Sequence, residues 1–292
     1  MHSISIIGLG RLGGALAIAI DRAGCRLDQL IYHSTLPRPE VAKLPANIIA
    51  VAEVDSIDSD VLLIATQDQL LRPLAEHLSR LASLPRIVLH LSGSLSSEVL
   101  ESLRDRGVAV GSLHPLVSIS DAVLGADRLP NAYFCVEGDI EAVSVAEELV
   151  KLLKGNSFTI ESRLKPLYHA AAVMASGHIT ALFDAAIETL ARCGLEPSEA
   201  KAILFPLLES TVANLRLQMP ADALTGPFVR GDIEAFRSHI QAFEGEVDEG
   251  TRRVYLELAE RSVRIAESGS ATNVDRSGLE EAISMAKRKT EC

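Results

Sequence analysis

Between residues 3 and 160, eight short runs rich in Ile, Val, Leu and aromatic side chains alternate with stretches of helical spacing: SISII, LIYH, NIIAV, DVLLIA, RIVLHL, VAVGSL, AYFCV and SFTI. Strands that alternate with helices are joined by crossovers, which predicts a mostly parallel sheet covered by helices on its faces. After Lys165 the strand-like runs stop. Lys165–Cys193, Pro197–Leu217, Ile233–Phe243 and Asp248–Glu267 carry helical periodicity and are separated by turn-forming segments such as CGLEPSE and FEGEVDEG. The expected fold class is α/β in two domains, 1–160 and 161–292, the second all-helical with a mobile tail after about residue 268.

Charge narrows the partners. The 28 basic and 39 acidic residues leave a net charge of −11, which argues against a nucleic-acid partner held through its phosphates. Apolar residues are interrupted so often that no window reads as a membrane span. MHSISIIGLG enters a strand without a basic leader or cleavage site, so a cytoplasmic protein with no membrane partner is expected. Cys25, Cys135, Cys193 and Cys292 stand far apart in no ligand spacing, which predicts reduced thiols and no metal site.

Gly8-Leu9-Gly10-Arg11-Leu12-Gly13 lies directly between SISII and the helix-like LGGALAIAIDRAG. Glycines there permit a tight turn and close approach of a pyrophosphate to the free N–H groups of a helix start, the fingerprint of dinucleotide binding. About twenty residues further on, where an NAD site places a carboxylate for the ribose, the sequence reads Ile31 to Arg38 with none. His33, Ser34 and Arg38 suit a 2′-phosphate instead, which points to NADP. Thr66-Gln67-Asp68 follows DVLLIA and would face the cofactor, Asp68 being equally suited to cap a helix. Ser92-Gly93 follows His90 in LHLSG, and His114 precedes Pro115 in GSLHPLVS; both loops leave the carboxyl ends of strands, where ligands collect. His90, flanked by apolar residues, reads as structural, whereas His114 fits either substrate contact or loop architecture.

In RLKPLYHAAAVMASGH, helical spacing puts Lys165, His169 and Ser176 at about 0°, 40° and 20°, one polar stripe in an apolar cylinder and the expected catalytic set. ALTGPFVRGD places Thr225 and Arg230 in a loop suited to an anionic substrate, with Asp232 ready to cap the next helix.

GLGRLG, LHLSG, GSLHP, KPLYHAAAVMASG and ALTGPFVRGD, in this order over nearly the whole chain, resemble the Rossmann-like proteins that carry the domain of unknown function 2520. That family is similar in architecture to pyrroline-5-carboxylate reductase, ketopantoate reductase and the 6-phosphogluconate dehydrogenase-like group. In ketopantoate reductases a helix opening the second domain carries Lys-x-x-x-Asn, the lysine being the proton donor. Lys165 matches that lysine, His169 replaces the asparagine, and Gly177 stands where the family pattern has Asn after Ser. The resemblance implies an NADPH-dependent reductase of a small carbonyl acid, with ketopantoate the concrete candidate and a cyclic imine the alternative. A dinucleotide-binding regulatory protein without turnover is the reading from another class. The helices after Cys193 carry more apolar surface than one neighbour buries, and related reductases pair through this domain, so a homodimer is expected.

Overall fold

The computed structural model describes residues 2–33, 36–269 and 274–290. All eight expected strands are present: β1 (Ile4–Ile7), β2 (Leu27–Tyr32), β3 (Asn47–Ala50), β4 (Val61–Ile64), β5 (Ile87–His90), β6 (Ala109–Pro115), β7 (Tyr133–Gly138) and β8 (Asn156–Thr159). They form one sheet in the order β3-β2-β1-β4-β5-β6-β7-β8, parallel throughout except between β6 and β7. The order reverses between β1 and β4, and in open sheets of this kind ligands bind at that switch point, beyond the strands' carboxyl ends.

Helices α1 (Arg11–Arg22), α2 (Pro39–Ala42), α3 (Asp68–Leu78), α4 (Glu101–Arg104), α5 (Ala122–Arg128) and α6 (Ile140–Leu152) connect the strands. Successive side chains of a strand point to opposite faces, so the buried runs ISII and VLLI feed two cores at once. Ile4, Ile6 and Leu63 join Leu16 and Ile20 of α1 and Val145 and Leu149 of α6 on one face. Ile7, Leu62 and Ile64 join Leu71 and Leu78 of α3 and Leu103 of α4 on the other.

The chain divides into two compact units, Met1–Ser176 and Gly177–Cys292. The boundary thus follows Ser176 rather than residue 160, because α7 (Lys165–Met174) inserts its side chains among the ends of β5, β6 and β7. The expected single helix over Lys165–Cys193 is interrupted at Ala175 and Ser176, where α7 ends and α8 (Gly177–Ala191) begins.

The second unit is all helical among its described residues: α8, α9 (Pro197–Leu217), α10 (Pro220–Ala223), α11 (Pro227–Arg230), α12 (Ile233–Phe243), α13 (Glu249–Glu267) and α14 (Ser277–Thr290). Asp232 and Asp248 cap α12 and α13, their carboxylates accepting from the N–H of Ala235 and Thr251 at 3.0 Å each. The expectation of a mobile tail is corrected over 274–290. Leu279 and Ile283 of α14 are buried against Phe236, Leu256 and Val263, so the segment belongs to the core of the unit. By contrast, α8 buries no side chain and α9 only Ala200, leaving Ile179, Leu182, Ile203, Phe205, Leu207 and Leu215 exposed. The segment Ser162–Ala191 is also long and apolar enough to cross a membrane, with a mean hydropathy of 1.4 in its most apolar window. This corrects the expectation that no window approaches a span: the polar residues that break it in sequence are too few to lower the average.

Candidate active site

The glycine turn after β1 forms as its spacing predicts. Gly8 has φ +94°, and a Cβ there would lie 2.7 Å from the Ala65 carbonyl oxygen. At Gly13 a Cβ would strike the Gly8 carbonyl oxygen, so only glycine lets α1 pack against the strand ends. Gly10 differs, because a Cβ there would enter open space. It is the N-cap of α1, whose first turn has neither a side-chain cap nor an acidic residue, so its N–H groups are left for an outside anion. A cleft of ≈ 460 Å³ opens here, lined among others by Gly8, Gly10, Arg11, His33, Arg38 and Thr66. Gln67 also lines it, and none of the lining residues is acidic.

Of the expected cofactor residues, Gly8, Gly10, Arg11, His33, Arg38, Thr66 and Gln67 therefore share one cleft. Arg38 pairs with Asp121 at 2.5 Å, and Thr66 Oγ1 is buried without a hydrogen-bond partner, an acceptor-donor group facing a site that can satisfy it. Leu12 packs into the core instead, and Ser34 lies outside the described residues. Asp68 does not cap α3, whose N-cap is Gln67; its carboxylate accepts from Ser94 Oγ at 2.5 Å.

Ser92 and Gly93 belong to a second cluster, at the ends of β5 and β6. Ser92 Oγ accepts from the N–H of Ser94 and Leu95, which folds the loop back on itself. Over Gly93 two imidazoles meet: a Cβ on this glycine would lie 2.5 Å from His169 Nδ1 and 2.8 Å from Cε1 and Nε2 of His114. The rings stand edge to face at 5.8 Å, and His169 Nδ1 is buried with no partner. His114 Nδ1 is 2.6 Å from the Tyr168 hydroxyl. His90 is fully buried, as its apolar flanks predict, its Nδ1 accepting from the Ser92 N–H.

Lys165 is the main correction. It has no exposed surface, and its ammonium points inward to three acceptors: the Ser92 carbonyl at 2.9 Å, Ser112 Oγ, and Glu137 Oε1 at 3.8 Å. Two hydrogen bonds, to Ser92 and Ser112, and the ion pair with Glu137 turn the ammonium toward the protein interior and make Lys165 a cation that holds the Ser92–Gly93 loop. Burial lowers its pKa below the ordinary lysine value, with the Glu137 carboxylate opposing. Glu137, almost wholly buried on β7, also accepts from Ser97 N (2.8 Å), Ser97 Oγ (3.0 Å) and Ser162 Oγ (2.7 Å). The antiparallel register sets Ser112 opposite Glu137. Glu137, Ser112 and Tyr168 were not singled out from sequence, although a carboxylate in the apolar run FCVEG is a visible signal.

Ser176 does not join this set. It is exposed beyond the end of α7, eleven residues from Lys165, or about 16 Å of helical rise. Thr225 and Arg230 are exposed on the second unit, at either side of the turn begun by Gly226 (φ +96°). Arg276 fixes that turn by donating to the carbonyls of Phe228 (3.1 Å) and Val229 (2.6 Å).

Desolvation, reinforced by Lys165, lowers the pKa of His90 from 6.5 to about 3 and of His114 to about 4. The folded protein therefore refuses protons that the unfolded chain accepts below pH 6.5. Stability is full above that pH and falls toward pH 4, by about 1.4 kcal/mol per unit for each histidine. Urea midpoints measured from pH 7 to 4.5 should drop accordingly; a flat profile would contradict the burial of both rings.

A doubly covered sheet with a glycine turn at its switch point defines a Rossmann-like nucleotide-binding domain. Residues 1–115 match the Rossmann-like domain family and residues 132–262 match the Domain of unknown function (DUF2520), the same two families that the motifs resemble. No match was found among curated proteins. Protein TM1727 from Thermotoga maritima has the same fold, at 21% identity and a TM-score of 0.71, over 91% of this chain and 98% of its own. 1-Pyrroline-5-carboxylate reductase from Streptococcus pyogenes matches at 16% identity and a TM-score of 0.58, over 98% of each chain. A reductive aminase from Aspergillus terreus, in complex with NADPH and ethyl-5-oxohexanoate, matches at 16% and 0.57, over 99% of this chain and 94% of its own. At such identities the likeness is one of fold.

Proposed function

We propose that the protein is an NADP(H)-dependent oxidoreductase that reduces a small carbonyl or imine acid. The observation that carries this reading is the cleft at the glycine turn, lined by Arg11, His33 and Arg38 and by no carboxylate. The α1 N–H groups and the bare face of Gly10 fit a pyrophosphate, and the cationic side chains fit a 2′-phosphate. When bound, the reduced nicotinamide supplies a hydride. His114 and His169, meeting over Gly93, then orient the polar end of the substrate, while Lys165 and Glu137 fix the loop beneath them. On the second unit, Thr225 and Arg230 are proposed as an anion-binding pair in their own right. A 2-keto acid such as ketopantoate is the leading substrate. The names of two proteins sharing the fold, a pyrroline-5-carboxylate reductase and a reductive aminase, support an imine as the second reading.

Titration should show NADPH binding at least about tenfold more tightly than NADH. Arg38→Ala should erase most of that preference, a charge-assisted contact being worth about 1.5–3 kcal/mol. Equal affinity for both nucleotides would remove the NADP assignment. A panel of 2-keto acids and cyclic imines, followed by loss of NADPH absorbance, then tests the reaction.

We also propose a cytoplasmic homodimer, in which the apolar faces of α8 and α9 meet a second copy rather than lipid. Light scattering after gel filtration should give twice the chain mass. Phe205→Glu with Leu215→Glu should give a single chain, charged groups being strongly disfavoured in a buried interface. A monomeric wild type would end this proposal.

A further inference from the structure

Tyr168 has no part in the reading above, yet its surroundings are those of a group placed for a purpose. Its hydroxyl is 2.6 Å from His114 Nδ1, the rings standing edge to face at 5.6 Å and 86°. Phe158 packs edge to face on its ring at 5.9 Å, and Tyr133 packs on Phe158 in turn. An imidazole nitrogen is a far better acceptor than a phenol oxygen, so the phenol donates to Nδ1 and the imidazole proton is left on Nε2. Nε2 is the nitrogen that lies over Gly93, beside His169.

We propose that the substrate group held at this site is a carbonyl oxygen, bonded by His114 Nε2–H, and that Tyr168 supplies the proton which completes the alcohol, acting through His114. The inference rests on the reductase reading and narrows its substrate class. A protonated iminium nitrogen would present its own N–H to an N–H donor, so it is disfavoured here. As hydride reaches the carbonyl carbon with two electrons, the C=O π pair moves onto oxygen. The Nε2 proton passes to that oxygen and the phenol proton passes to Nδ1, leaving a phenolate. Water entering as product leaves returns a proton to Nε2, and the Nδ1 proton goes back to the phenolate. Burial raises the Tyr168 pKa and lowers that of His114 to about 4, so both groups begin neutral, as the relay requires. Even raised, a phenol remains more acidic than an alcohol, and the transfer runs downhill.

The test has two arms. Long-range ¹H–¹⁵N spectra of wild-type protein at pH 7 should show His114 protonated on Nε2 and bare on Nδ1; protonation on Nδ1 overturns the proposal. Tyr168→Phe keeps the ring against Phe158 and removes only the hydroxyl. It should lower kcat on 2-keto acids by about 100-fold or more while KM and the Kd for NADPH stay within about threefold. Wild-type turnover by this variant, or a wild type that reduces imines alone, overturns it as well. If neither substrate class consumes NADPH, the reductase reading itself falls. The spectra, which need no substrate, then show whether the histidine–tyrosine pair falls with it.

Discussion

Glu137→Ala is expected to lower the free energy of unfolding by about 3–5 kcal/mol, because it leaves the Lys165 ammonium buried without a counter-charge. Removing the other partner has a comparable cost: in Lys165→Met the carboxylate loses its cation, although Ser97 and Ser162 still donate to it. The double variant Glu137→Leu with Lys165→Met should regain much of the loss, since well-packed apolar groups of similar volume often replace a buried pair without penalty. Urea unfolding of the four proteins closes the cycle. A Glu137→Ala cost under about 1 kcal/mol would contradict the burial of the pair. The same cycle separates two roles for Lys165. A lysine that only positions the Ser92 carbonyl permits measurable turnover in the double variant, whereas a direct proton donor does not.

Gly93→Ala is expected to reduce turnover by about 100-fold while leaving the fold and NADPH affinity nearly unchanged. Gly93 does not need a positive φ, so alanine is acceptable to the backbone. Its Cβ, however, would lie 2.5 Å from His169 Nδ1 and 2.8 Å from His114, and both rings must move. Displacing reacting groups by about 1 Å can cost about 10²-fold in rate, whereas overpacking costs about 1–3 kcal/mol of stability. The glycine turn that holds the nucleotide is elsewhere, so the Kd for NADPH serves as the internal control. Unaltered kcat in Gly93→Ala would remove both imidazoles from the reaction.

Much of the scaffold was legible in the sequence, because it depends on local pattern. The eight apolar runs became the eight strands, and α9 and α12 match the expected bounds. The glycine turn was legible for the same reason: its role follows from backbone geometry within six residues. The second cluster was only half visible. His114, His169 and Lys165 stood out as polar groups in apolar settings, but the direction in which Lys165 points is set by β7, nearly thirty positions away, where Glu137 awaits it. Helical periodicity assigned Ser176 to the stripe of Lys165, and the break at Ala175 and Ser176 dissolved that assignment. Tyr168 was passed over because, within an apolar helix, an aromatic side chain reads as packing until its hydroxyl is seen beside an imidazole.

Helix α14 bears on how the chain is born. The first unit contains all eight strands and α7, so everything it buries has been synthesised by Ser176, with residues 177–292 still to come. Its folding can proceed on the ribosome. The second unit has no such head start: Leu279 and Ile283 complete the core around Phe236 and Leu256, and Arg276 clasps the turn between Thr225 and Arg230. That half of the molecule must wait for its closing residues to emerge, and until they do, nascent α12 and α13 expose the surface on which chaperones act.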